Sequence, residues 1–187
     1  MKEIKVDLEY PEIDIDSVSM SDCRCLMEDY GGAESELTAI LTYMYQAYIV
    51  SDMPEYKELY DTLEGIAITE MHHHEMLGET IVKLGGTPVM GGMHKFWNGS
   101  MVNYCKDVIN MINIDIKAEN IAIENYKKTM RCLQNYSIRE LIERIIMDEE
   151  LHILALEEQK RKILGNWLVC NDFFERNFFA KSIKCHC

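Results

Sequence analysis

Apolar positions in this chain recur at helical spacing over four long stretches, with no convincing strand between them. The first predicted helix covers about 33–50 and opens on GGAESE. SDMPEY follows, placing Pro54 in the first turn of a second helix over about 54–84. GGTP at 85–88 stops that helix with glycine and then proline. The glycine-rich run GGTPVMGGMHKFWNGS (85–100) reads as a long crossover loop. A third helix is expected over about 101–133, broken by Asn135 and Ser137. Ser137 and Glu140 form a capping box that opens a fourth, ending near 164 at Gly165 and Asn166. Two short turns and one long connection predict an all-α four-helix bundle with a single crossover over residues 31–165. Residues 1–30 form an acidic, partly apolar lead-in, read as loop or short extended structure. Residues 166–187 are an aromatic-rich tail or short fifth helix, which either covers the bundle or meets another subunit. A homo-oligomer of at least two chains is expected.

Composition narrows the partners. The chain has 187 residues, 32 acidic against 19 basic, and a formal net charge of −13. That charge argues against nucleic acid or an anionic membrane as the main partner. No run of about 18 apolar residues exists, so no membrane span is expected. The N-terminus lacks the apolar core of a signal peptide, and the cysteine count is seven. Together these read as a cytoplasmic protein with free thiols.

The candidate chemistry lies in an internal echo. Glu36–Tyr43 and Glu119–Tyr126 both read Glu-x-x-Ala-Ile-x-x-Tyr, a spacing that places these residues on one helical face. The rest of that face is apolar or small, and a glutamate on an inward stripe is costly unless it is paired. The second and fourth helices echo each other as well, with Glu70-x-x-His73 and Glu149-x-x-His152. Glu36 precedes Glu70 by 34 residues and Glu119 precedes Glu149 by 30, a separation that levels the glutamates within each hairpin. Four carboxylates and two imidazoles then share one layer, the ligand set of di-iron and di-manganese carboxylate bundles. Two divalent cations would balance four carboxylates that otherwise repel one another. Oxygen-rich ligation with one nitrogen per ion suits iron or manganese over zinc.

The run His72-His73-His74 leaves two geometric candidates beside Glu70, His73 and His74. The echo selects His73, because only that slot is also histidine after Glu149. Tyr43 and Tyr126 lie two turns beyond Glu36 and Glu119. They read either as core tyrosines bonded to a ligand carboxylate or, for Tyr43, as an electron donor. Asp148 stands where it would accept a hydrogen bond from a ligand histidine, with a solvated helix charge as the alternative. Asp115 is a weaker case of the same kind. Cys23-Arg-Cys25 and Cys185-His-Cys187 could bind a metal or form a redox disulfide, although the spacing is not the usual one.

These residues resemble the ferritin-like di-metal carboxylate superfamily over about 31–160, with bacterioferritin and the diiron domain of rubrerythrin nearest. The resemblance implies a ferritin-like bundle and a non-haem redox centre of two iron ions. Peroxide or dioxygen would be the substrate, in a ferroxidase or peroxidase role, with an unidentified electron donor. Carried over, Glu36 and Glu119 would be terminal carboxylates, Glu70 and Glu149 bridges, and His73 and His152 single ligands. Rubredoxin-type cysteine motifs are absent, and Ala122 stands where rubrerythrins place a further glutamate. Met71 sits at bacterioferritin's haem position, yet haem is not expected. YGGAESELTAILTYMYQAY also resembles manganese catalase and its spore-coat relatives, whose second-to-third helix link is typically longer. That implies two manganese ions and peroxide disproportionation as the alternative. Iron storage and a structural coat role are the others.

Overall fold

The computed structural model describes residues 2–92 and 95–182, and the side chains among them up to Gly165. Its helices are α1 (Met20–Gly31), α2 (Glu36–Val50), α3 (Lys57–Lys83), α4 (Val108–Cys132) and α5 (Tyr136–Ser182). No strand occurs among the described residues; one isolated bridge joins Gly91 to Phe96 in the crossover. α2 packs along α3, and α4 along α5. The bundle is therefore two hairpins joined by the 84–107 crossover.

Local chemistry sets the boundaries. Pro54 opens a short 3-10 turn that feeds α3. α3 stops at Gly85, whose φ of +86° is the left-handed conformation that glycine adopts most readily. The Gly86 N–H then bonds the Ile81 carbonyl at 2.9 Å, closing the helix end. α4 starts at 108 and not near 101, because the Asp107 side chain caps the Asn110 N–H. Asn135, not Ser137, caps α5 by accepting from the Ile138 N–H at 3.0 Å. Ser137 is drawn away to the backbone of Asp14.

Three further expectations are corrected. The lead-in is not all loop: Ser19 accepts from the Asp22 N–H and starts α1, whose Cys23, Leu26 and Tyr30 face the core. α5 does not end at Gly165 and Asn166 but runs on to Ser182, since neither residue there is forced out of helical geometry. The cysteines are not all free thiols, because Cys25 and Cys132 form a disulfide with Cα atoms 6.1 Å apart. Cys23 is buried on the other side of α1, so the first Cys-x-Cys pair does not converge on one ion. Cys185 and Cys187, and the side chains of the aromatic tail, lie outside the described residues.

Two apolar plugs sandwich a charged layer. One contains Leu26, Leu77, Ile81, Tyr126, Ile142 and Ile145; the other contains Tyr43, Leu63, Ile66, Met111, Ile112 and Leu156. Residues 2–16 form an irregular strap against α3 and α5. The Ile4 N–H bonds the Gly65 carbonyl at 3.3 Å, and a Cβ at Gly65 would come within 2.7 Å of the Lys2 carbonyl oxygen.

Candidate metal centre

The layer between the plugs holds Glu36 from α2, Glu70 and His73 from α3, Glu119 from α4, and Glu149 and His152 from α5. None is more than 4% exposed. Ligand atoms of Glu36, Glu70, His73 and Glu149 lie within 4.8 Å of one another, and so do those of Glu70, Glu119, Glu149 and His152. Glu70 and Glu149 belong to both groups.

Each histidine turns Nδ1 inward. His73 Nδ1 is 3.0 Å from Glu70, 3.4 Å from Glu149 and 3.7 Å from Glu36. His152 Nδ1 is 3.0 Å from Glu149, 3.2 Å from Glu70 and 3.7 Å from Glu119. The outward nitrogens meet acceptors only: His73 Nε2 reaches Asp148 at 3.1 Å and His152 Nε2 the Ile4 carbonyl at 2.9 Å. Such partners keep the proton on Nε2 and leave Nδ1 as the nitrogen with a lone pair to offer.

Charge in this layer is balanced by protons. Burial, then repulsion from Glu70 and Glu149, pushes the Glu36 carboxyl well above its usual range. Burial, then Glu149 and Glu70, does the same to Glu119. Burial works against charge on both histidines. The carboxylates beside them prevail, Asp148 foremost at His73 and Glu70 at His152, and raise both well above the usual imidazole value. Glu36 Oε2 and Glu70 Oε1 are buried without a hydrogen bond. Cations would replace these protons and occupy those orphaned oxygens, so the residues fit a dinuclear metal group.

The tyrosines cross between the hairpins. The Tyr43 hydroxyl donates to Glu119, and the Tyr126 hydroxyl to Glu36. Asp148 is a hub that takes three hydrogen bonds and one ion pair, from Arg144. Val6 N–H (2.7 Å) and Arg144 Nη1 (2.8 Å) reach Oδ1, while the Tyr10 hydroxyl (2.7 Å) and His73 reach Oδ2. Burial alone would raise the Asp148 pKa. Bonds from His73, Arg144, Tyr10 and Val6 outweigh it and hold the carboxyl well below its usual range. Arg144 also donates to the Val6 and Leu8 carbonyls, tying the strap down.

The neighbours of His73 sort out by position. His72 is on the outer face, 3.6 Å from Glu3, and His74 stacks on Tyr30 at 4.2 Å. Met71 is exposed. Asp115 approaches none of the described histidines; it accepts from Gln46 Nε2 at 2.8 Å.

The strap and Arg144 escaped the sequence reading. One signal was available: Arg144 stands about one turn from both Leu141 and Asp148, flanking the stripe of Ile138, Ile142 and Ile145. Nothing in the sequence reveals that the Ile4 carbonyl backs His152.

On the far side, α2 and α4 do not pack closely and leave a cavity of about 210 Å³ over the cluster. Glu36, Glu70, Glu119 and Glu149 form its floor, with Asp29, Thr42 and Asp115 in its walls. Burial pushes the carboxyls of Asp29 and Asp115 up to about 7. A carboxyl raised in the folded state favours folding while it is protonated. That advantage is present at low pH and lost as pH climbs through about 7. The metal-free protein should therefore lose stability between roughly pH 4 and 7. Asp115→Asn should flatten that slope in melting curves recorded across the range.

Comparison with known proteins places this architecture. A ferritin-like domain profile matches residues 33–164. The chain belongs to the ferritin-like family. Bacterioferritin from Desulfovibrio desulfuricans is 35% identical over 125 residues, covering 65% of this chain and 66% of that protein. A probable manganese catalase from Clostridium acetobutylicum is 24% identical over 183 residues, covering 86% of this chain and 76% of that one. Among solved structures, the manganese catalase KatB from Anabaena superposes with a TM-score of 0.75 at 22% identity. That match covers 84% of this chain and 80% of KatB, a likeness of fold. Within this ferritin-like chain, no described helix is long and apolar enough to cross a membrane.

Proposed function

We propose that this ferritin-like chain is a non-haem dinuclear redox protein that reacts with peroxide or dioxygen, in a ferroxidase or peroxidase role, with iron as its metal. One observation carries the reading: Glu70 and Glu149 each belong to both four-residue groups. In it, Glu70 and Glu149 would be shared by the two ions, Glu36 and Glu119 would each hold one, and His73 and His152 would each add one nitrogen. Bound there, the pair of ions would supply the redox chemistry and the Lewis acidity. Asp148 and the Ile4 carbonyl hold the imidazoles in the tautomer that offers Nδ1. Tyr43 and Tyr126 each fix one oxygen of a terminal carboxylate, leaving its second oxygen to the ion. The plugs exclude water from both ends, so a small oxidant enters through the cavity between α2 and α4.

The second reading is peroxide disproportionation at two manganese ions. It is favoured by a manganese catalase alignment that runs over 86% of the chain. Metal analysis of natively produced protein, followed by peroxide and dioxygen reactivity of the same sample, decides between them. Bound manganese with oxygen release and no added reductant selects the catalase. A sample that binds neither metal ends both readings. A cytoplasmic, homo-oligomeric protein is part of the proposal. Gel filtration separates a small oligomer from a hollow storage particle, and metal-dependent melting without turnover would mark a structural coat role.

The histidine run gives a sharp check. His73→Ala should cost the protein the ion that His73 would hold, whereas His72→Ala should leave the metal content of purified protein unchanged. Equal loss in both would sink the assignment.

A further inference from the structure

Two distant cysteines meet beside the cavity over the cluster. Cys25 of α1 and Cys132, the last residue of α4, are 107 residues apart in the chain and joined by a disulfide. Both line a surface pocket of about 440 Å³. Asp29, Ala33 and Glu34 line this pocket and also the cavity above the glutamates, so the two spaces share a wall. α4 links the pair to the site directly. Tyr126, bonded to Glu36, precedes Cys132 by less than two turns, about 9 Å along the helix axis.

The bond is not needed to hold α1. Asp22 accepts the N–H groups of Gln134 and Asn135 at 2.9 and 3.1 Å, and Thr129 donates to Asp29 at 2.5 Å. Leu26 and Tyr30 are buried in the core below. The disulfide can therefore open without releasing the helix. Cys132 is exposed, so an external thiol can reach it. Lys128 lines the pocket, and Arg24 and Arg131 adjoin the cysteines in sequence. Positive charge nearby favours the reactive thiolate, here against Glu28 and Glu34 in the same pocket. In a reducing compartment, an accessible bond of this kind is one that opens and closes.

We propose that Cys25 and Cys132 are a dithiol–disulfide redox site that supplies the electrons for peroxide reduction at the carboxylate–histidine cluster. The proposal rests on the dinuclear metal reading above. In the balanced step the two thiols give up two protons and two electrons, and the sulfur–sulfur bond forms. The oxygen–oxygen bond of hydrogen peroxide breaks, and two waters leave. An external dithiol then reopens the disulfide by thiol–disulfide exchange.

The test starts from the full chain, reduced with dithiothreitol, desalted under argon and split into metal-free and ferrous-loaded samples. Metal content is measured first. One equivalent of hydrogen peroxide per chain is added, and the state of Cys25 and Cys132 is read by alkylation and peptide mass spectrometry. The expected result is closure of this pair in the loaded protein at a rate at least about tenfold above that in the metal-free sample, where only the slower direct thiol reaction operates. The double variant Cys25→Ser, Cys132→Ser should keep its metal and match the melting temperature of the reduced wild-type protein. Its dithiothreitol-driven peroxide turnover should fall at least about fivefold, because the nearby electron source is gone. Peroxide consumption with the pair still reduced overturns the proposal, as does equal closure without metal or unchanged turnover in the double variant. Failure to bind metal at the first step overturns the metal reading, and this proposal with it. Loaded protein with inert cysteines overturns this proposal alone.

Discussion

Replacing Glu70 or Glu149 with alanine should strip the protein of both ions, while Glu36→Ala should leave one. The difference follows from sharing: Glu70 and Glu149 belong to both ligand groups, and Glu36 to one. In the proposed centre, losing a shared carboxylate would remove a ligand from each ion and the negative charge that lets two cations sit together. Metal per chain, measured by elemental analysis after desalting, reads this directly. Glu36→Gln separates ligation from packing. Its amide resembles the protonated acid that burial already favours at this position. The metal-free variant should therefore melt at or above the wild-type temperature, while the stabilisation brought by added metal shrinks. Glu149→Ala protein that still carries two ions would overturn the ligand assignment.

Arg144→Ala should cost the metal-free protein about 3–5 kcal/mol of unfolding free energy, the range for breaking a buried ion pair by removing one partner. Arg144 is buried, pairs with Asp148 at 2.8 Å and ties down the Val6 and Leu8 carbonyls. Its removal leaves the Asp148 carboxylate short of a partner and frees the strap. Urea unfolding gives the energy. Limited proteolysis should then cut within the first ten or so residues well before the bundle is touched. Arg144→Lys should recover part of the loss, since it restores the charge but not the fork that spans two carbonyls. A change below about 1 kcal/mol, the size typical of a surface ion pair, would show that Arg144 does not hold this junction.

Sequence periodicity exposed the four bundle helices because each carries a strong inward stripe. It also exposed the six buried charges, because each interrupts such a stripe at matching positions in two hairpins. The strap was harder. Ile4, Val6 and Tyr10 act through backbone groups and one hydroxyl against residues more than 130 positions away, and such pairing leaves no periodic mark. α1 was missed despite its Ser19 cap because its apolar stripe is short and its flanks are acidic. The end of α5 was misplaced because Gly165 and Asn166 are common stop residues that helical geometry still admits. The Cys25–Cys132 bond could not be read, because it depends on where α1 docks.

Neither hairpin holds a complete ligand group. The first draws on α2, α3 and α5, and the second on α3, α4 and α5. The ions would therefore act as rivets through the seam between the halves. A chain cut within the 84–107 crossover should reassociate more tightly when metal is supplied, and each fragment alone should be a poor chelator. Metal loading would thus report that the two halves have found each other, which makes assembly of the bundle and assembly of the site one event.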